Sequence, residues 1–225
     1  MTCVRNSIFV LALCLLGGNT QASVVNGDFS TGDLSGWTLY TTFDGQLVPT
    51  GRPAPTAVMF DTDGDGVASF AAQFRVGQQT PYNAGQWGGG GILQSFSSAA
   101  GAMSISVDVA AYQQPESTNS STGGLFYILV DGQIVSSWEA PSITAGVTVR
   151  NQLTYTGSIS DGVHELRILA QRPYLTGYST RATMTPFQYM DNVVLTTPVP
   201  EPTSLAMLLA GLGLIGTAAA KRRTA

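Results

Sequence analysis

Between residues 103 and 111 the chain alternates one position at a time: Ile105, Val107 and Val109 are apolar, while Ser104, Ser106 and Asp108 are polar. Successive side chains of a strand point to opposite faces, so this period of two predicts a strand with one buried and one wet face. Shorter apolar or alternating stretches at 37–43, 57–60, 68–74, 92–96, 125–130, 133–138, 147–155, 163–170 and 188–195 read the same way. Segments 125–130 and 133–138 are separated by Asp131-Gly132, a pair that favours the type I′ turn of a two-residue hairpin. Nothing between the chain's two ends sustains a helical period, so no helices are expected to cover a parallel sheet. Nine or ten short strands then predict an all-β fold: an antiparallel, two-sheet β-sandwich of the jelly-roll kind over residues 23–198. Trp37 and Trp138 fall on strands and are expected in its core.

The ends of the chain follow different patterns. Arg5 precedes an eleven-residue apolar run at 8–18, and Thr20-Gln21-Ala22 places small residues where signal peptidase cuts. Residues 1–22 therefore read as a signal peptide, with Ser23 as the first mature residue. Both cysteines, Cys3 and Cys14, lie inside the segment to be removed, so the exported domain makes no disulfide. At the other end, the nineteen residues 202–220 carry no charge. At ~1.5 Å per residue such a run covers roughly 28 Å of hydrocarbon, enough for a transmembrane helix over 203–220. The cations Lys221, Arg222 and Arg223 follow at once, and the positive-inside tendency holds them in the cytoplasm with residues 23–198 across the membrane.

Immediately before that helix stands Val199-Pro200-Glu201-Pro202. The order of Pro-Glu-Pro, apolar helix and short basic end resembles the PEP-CTERM sorting signal of Gram-negative bacteria. That resemblance implies processing by an exosortase, a membrane protease, after insertion of the precursor in the inner membrane. It makes exosortase and signal peptidase the expected partners, and the cell surface or extracellular matrix the expected destination. An ordinary C-terminal anchor has no need of Pro-Glu-Pro at its boundary.

Charge narrows the range of partners. Residues 23–198 hold thirteen carboxylates, six arginines and no lysine, a formal charge of −7 with His164 neutral. Nothing here neutralises a row of phosphates, which speaks against nucleic acid. His164 is the single histidine, so metal centres built on several imidazoles are excluded. It reads as a structural, half-exposed side chain at the start of a strand.

Asp61-Thr62-Asp63-Gly64-Asp65-Gly66 is the sharpest chemical signal. Carboxylates at positions one, three and five with glycine at six reproduce the first half of an EF-hand calcium loop. Position twelve is Ala72 rather than Glu, and no helix flanks the loop, so any calcium held by Asp61, Asp63 and Asp65 needs ligands from elsewhere. The alternative is a solvated acidic turn. Gly88 to Gly91 lack the Lys-Ser/Thr of a phosphate loop and read as a flexible turn.

The opening pattern Asn26-Gly27-Asp28-Phe29 … Gly32-Asp33-Leu34-Ser35-Gly36-Trp37 predicts an ordered loop pinned by Phe29 and Trp37. It resembles the first segment of exported galactose-binding-like and carbohydrate-binding jelly rolls. The resemblance extends through 92–96, 104–109, 126–132, 162–166 and 190–195, and implies that the last strand lies beside the first, with the sorting tail leaving from that edge. Among the long loops, those at 76–91 and 171–186 carry the aromatics Tyr82, Trp87, Tyr174 and Tyr178. Pyranose rings lay apolar CH faces on such rings, which makes these four candidates for glycan binding; the other reading is that they anchor their loops. Glu116, Glu139 and Glu165 occur singly, without a hydrolase motif. The reading that emerges is a non-catalytic, exported surface or matrix protein that binds glycan or exopolysaccharide. The alternatives are a secreted glycan hydrolase and a purely structural matrix component.

Overall fold

The computed structural model describes residues 24–49, 52–79, 87–117, 121–173 and 185–198, together with Gly211 and Leu212. Residues 21–199 form one compact unit, and Gly211 and Leu212, which are helical, belong to another. Among the described residues no helix is long and apolar enough to cross a membrane. The expected signal peptide 1–22 lies outside them, as does all of the tail helix 203–220 apart from those two residues.

Twelve strands run through the larger unit: β1 (Thr38–Thr41), β2 (Gly45–Gln46), β3 (Thr56–Phe60), β4 (Ser69–Phe74), β5 (Gly77–Gln78), β6 (Gly88–Ser98), β7 (Gly101–Tyr112), β8 (Ser121–Val130), β9 (Gln133–Ile143), β10 (Thr148–Ile159), β11 (Gly162–Arg172) and β12 (Phe187–Thr196). They form two five-stranded antiparallel sheets, β1-β6-β11-β8-β9 and β10-β7-β12-β4-β3, with β2 and β5 as a small separate pair. All ten predicted strands are present, and several run to ten or twelve residues instead of being short. Asp131 and Gly132 have φ of 50° and 76°, the left-handed pair that the β8–β9 hairpin turn demands.

The core lies between the sheets and follows the alternation read from sequence. Val107, Val109 and Ala111 of β7 face Ile92 and Phe96 of β6, Leu166 and Ile168 of β11, and Phe126 and Ile128 of β8. Phe126 is fully buried and stacks on half-buried Trp138 at 5.6 Å. A ring buried this way contributes roughly 2–3 kcal/mol. Phe29 and Trp37 are both buried, 6.1 Å apart, and the Trp37 indole donates to the Asn26 carbonyl at 2.9 Å. The opening segment is thus the ordered loop expected.

Two buried amides tie the layers. The Gln94 Nε2 donates to the carbonyls of Val25 and Gly36, and its Oε1 accepts from Val25 N–H, fixing the opening segment to β6. The Gln188 Oε1 accepts from Val76 N–H at 3.0 Å while its Nε2 donates to the Gly123 carbonyl at 2.9 Å. Each satisfies backbone groups that no ladder reaches.

Three expectations are corrected. The last strand does not lie beside the first: β12 sits between β7 and β4 in the centre of its sheet, while β1 pairs with β6 in the other. The tail consequently leaves from the end of a central strand. What borders β12 beyond Met190 is the opening loop, through Val193 N–H donating to the Gly27 carbonyl at 2.8 Å, next to a bulge where Asn192 has φ of 49°. Second, Gly88 to Gly91 are no flexible turn but the buried first third of β6. A Cβ on Gly91 would stand 2.0 Å from the Ile168 carbonyl oxygen, and one on Gly89 would stand 2.1 Å from that of Ala170. Glycine is used there because neighbouring backbones approach too closely for any side chain. Third, His164 is buried, 7% exposed, rather than half-exposed.

Candidate functional site

The sheet β10-β7-β12-β4-β3 has an outer face set by the same alternation that builds the core. With Met190, Val109, Ala72 and Ala57 turned inward, the residues turned outward are Phe187, Tyr189 and Asp191 on β12, Asp108, Ala110 and Tyr112 on β7, Ala71 and Gln73 on β4, and Val58 and Phe60 on β3. Phe60 lies flat on Tyr189 at 3.7 Å and 4° between planes, and the Tyr189 hydroxyl accepts from Gln73 Nε2 at 2.9 Å. Burial pushes that phenol's pKa up to about 12, so it stays neutral. Phe187 and Tyr112 flank the stack at 6.2 and 6.1 Å from Tyr189 and Phe60.

Beside this aromatic tile opens a cleft of about 390 Å³. Its apolar wall includes Pro53, Pro55 and Phe187; its polar groups are Gln73, Gln114, Arg52 and Arg75. The Arg75 guanidinium lies 4.0 Å over the Phe187 ring and donates through Nη2 to the Gln114 side-chain oxygen. Burial, with the like charge of Arg52 adding to it, pulls its pKa down to about 10. The arrangement offers a flat hydrophobic surface next to amide and guanidinium donors, a combination suited to a polar ring-shaped ligand.

The acidic loop forms a second feature. Ligand oxygens of Asp61, Asp63 and Asp65 lie within 4.8 Å of one another. Each carboxylate also caps its own turn: Asp61 accepts from Gly64 N–H at 2.7 Å, Asp63 from Asp65 N–H at 3.1 Å and Asp65 from Val67 N–H at 2.7 Å. Arg150, from β10, donates to both the carbonyl and the carboxylate of Asp61 at 3.0 and 3.2 Å. A hard cation here would meet oxygen donors of the right type, and it would have to share Asp61 with that arginine.

His164 has a structural setting. Its Nδ1 lies 2.7 Å from Asp131 Oδ2, its Nε2 lies 3.1 Å from the Ser160 carbonyl, and its ring packs on Phe96 at 5.6 Å. Both partners are acceptors, so both ring nitrogens serve best as donors; the Asp131 bond raises the imidazole pKa above the ordinary 6.5.

Of the four aromatics singled out from sequence, Trp87 is half-buried at the foot of β6 and is not among the residues lining the cleft. Tyr82, Tyr174 and Tyr178 lie outside the described residues, as do the sorting residues Val199, Pro200, Glu201, Pro202, Lys221, Arg222 and Arg223. The cleft residues Arg52, Gln73, Arg75, Gln114 and Phe187 escaped the sequence reading. The one local signal was the outward alternation of Phe187 and Tyr189 around Gln188, which becomes legible once Met190 is known to face the core.

Fold and site together define an antiparallel jelly-roll sandwich with an aromatic, arginine-bearing cleft on one outer face. Residues 198–223 match the family model of the PEP-CTERM protein-sorting motif, so the chain ends in a sorting signal of that kind. No curated protein matches the chain in sequence. Among solved structures it is similar to the enzymatically active domain of tailspike protein 4 of bacteriophage CBA120, at 17% identity and TM-score 0.42 over 78% of this chain and 21% of that one. It is also similar to the CBM22-1–GH10 modules of endo-1,4-β-D-xylanase 10B from Clostridium thermocellum, at 12% identity and TM-score 0.40 over 78% of this chain and 28% of that one. A third likeness is to the CBM22-1 xylan-binding domain of Paenibacillus barcinonensis Xyn10C, at 12% identity and TM-score 0.39 over 79% of this chain and 94% of that one. The chain spans only about a fifth to a quarter of the first two. At these scores the architecture rests on this chain's own strand pairing.

Proposed function

We propose that this chain is an exported protein whose sandwich binds a glycan, without cleaving it, in the cleft bounded by Phe187, Gln73 and the Pro53–Pro55 wall. The sorting motif at 198–223 supports export, insertion of the precursor in the inner membrane and processing there by an exosortase before delivery to the surface or matrix. The observation that carries the binding reading is the cleft's composition: a ring and two prolines for the CH faces of a sugar, beside two side-chain amides for its hydroxyls.

A binder is favoured over a hydrolase by the same lining. Glycoside hydrolysis places two carboxylates on either side of the scissile bond, and none of the described residues lining the cleft is acidic. Glu165 is engaged by Arg167 at 2.5 Å on the opposite sheet.

Contacts of this kind in an open cleft support affinities nearer ~1 mM than nanomolar, so densely immobilised polysaccharide is the fitting assay. Phe187→Ala is expected to abolish retention on the column with little change in melting temperature. Retention unchanged in that variant would move the site elsewhere, and no retention of the parent chain on any polysaccharide would leave a structural matrix role. For the sorting part, mass spectrometry of protein from its native host is expected to find neither residues 1–22 nor the basic end; an intact Lys221-Arg222-Arg223 terminus would reduce the tail to a plain anchor.

A further inference from the structure

We infer that the cleft selects an acidic sugar, with Arg75 and Arg52 receiving the carboxylate of a uronate residue. This rests on the glycan-binding reading and gives it a substrate class. Residues 23–198 carry a formal charge of −7 and only six cationic side chains, yet two of those six converge on one cleft. Of the other described arginines, Arg150 lies 3.2 Å from Asp61 and Arg167 lies 2.5 Å from Glu165, while Arg172 is buried and donates through Nε to the Thr122 carbonyl. Among the described residues neither Arg52 nor Arg75 has a carboxylate within 4.0 Å.

Arg75 is the more telling of the two. It is 7% exposed, and among the described residues its guanidinium has one hydrogen-bond acceptor, the neutral amide of Gln114, while its buried Nε–H has none. A guanidinium taken out of water with no carboxylate in contact is costly: burial first and the like charge of Arg52 second lower its pKa, and the more distant Glu116 carboxylate offsets this only in part. Stacking on Phe187 leaves only the in-plane edge of the group free to donate. That edge presents a planar fork that fits the two oxygens of a carboxylate. A fold needing only a structural cation here would gain from a carboxylate in direct contact. The lining offers instead Gln73, Gln114 and Thr56, which suit sugar hydroxyls. An acidic ligand therefore supplies the one group that the cleft lacks, while the apolar wall of Pro53, Pro55 and Phe187 takes the ring.

The test uses the full chain purified in detergent, with polygalacturonate, its methyl ester, neutral dextran and dextran sulfate as immobilised probes at low and at physiological salt. Expected are retention on polygalacturonate at least tenfold stronger than on the ester, a further fall to the ester's level in Arg75→Gln, and a partial fall in Arg52→Gln, whose exposed side chain leaves folding untouched. Arg75→Gln is expected to melt at or above the parent temperature; should it fail to fold, Arg52→Gln together with the acid-to-ester ratio decides. Equal retention on acid and ester would overturn acid selection while leaving glycan binding intact. Dextran sulfate binding as well as polygalacturonate, unaffected by Arg75→Gln, would overturn it too, as plain attraction of an anion. Retention on none of the four would remove the glycan reading and this one with it.

Discussion

Each sheet carries an arginine stacked on an aromatic ring on its outer face, and the two stacks are built to different ends. On the β1-β6-β11-β8-β9 face, Arg167 lies 5.1 Å over Tyr40, half-exposed, with Glu165 on its Nε at 2.5 Å; that carboxylate raises its pKa. On the β10-β7-β12-β4-β3 face, Arg75 lies 4.0 Å over Phe187, buried, with an amide where the carboxylate would stand. The first is electrically closed and can serve the fold alone. The second has no carboxylate in contact among the described residues, and it lines an open cleft. A cation–aromatic pair is thus no signature of binding by itself; what distinguishes the two is whether the protein places a carboxylate in direct contact with the cation.

The largest effect is expected on the closed face. Gly91→Val drives a side chain into the Ile168 carbonyl across the β6–β11 seam beneath Tyr40, and should lose more than ~3 kcal/mol, enough to unfold much of the protein. Urea denaturation measures it. A midpoint like the parent's would mean that the seam yields and that this face is less rigid than its partner.

The response to pH comes next. Burial lifts the Asp191 carboxyl, on the outer face of β12, to about 6 against the lowering bond from Ser69. A raised acid contributes stability below its unfolded value of 3.8 and loses it as pH rises through about 6, here roughly 3 kcal/mol. His164, raised mainly by Asp131, slopes the same way: its contribution is complete below 6.5 and fades as pH climbs through the folded value. Asp131 opposes both at the acid end. Partial burial pushes it up, but bonds from His164 and Glu165 N–H hold it below 3.8, so its share is lost as pH falls through that depressed value. The melting temperature should therefore be higher at pH 5 than at pH 8. Asp191→Asn should flatten much of that slope, and an unchanged slope would remove Asp191 as its source.

Exchanging the two arginines for methionine tests the comparison directly. Arg167→Met should cost up to ~1 kcal/mol, as exposed ion pairs do. Arg75→Met should cost nothing or stabilise by about 1 kcal/mol, since it removes a buried charge without breaking a pair. The reverse order in thermal melts would make Arg75 structural and Arg167 the freer group.

The smallest effect concerns calcium. If Asp61, Asp63 and Asp65 hold an ion, millimolar calcium should raise the melting temperature by a few degrees through mass action, chelator should reverse it, and Asp63→Ala should abolish it. Competition from Arg150 for Asp61 keeps the expected gain small, and Arg150→Gln should enlarge it. No response in either protein would identify a self-capped acidic turn.

Residue-by-residue alternation determined where the strands lie, because a strand's pattern is written in consecutive positions: Met103 to Ala111 announced β7, and Asp131-Gly132 announced the β8–β9 turn. The sorting motif at 198–223 was likewise legible, since such a motif is a contiguous string. Trp37 as a core residue followed from its place at a strand start. Which strands become neighbours was decided only in three dimensions, by pairings between distant segments that no local period encodes. That decision put β12 in the centre of its sheet, turned the glycine run into a seam between backbones, and buried His164 against Phe96. It also created the cleft, because Arg75, Gln114 and Phe187 come from three separated stretches whose side chains meet only when β4, β7 and β12 lie side by side.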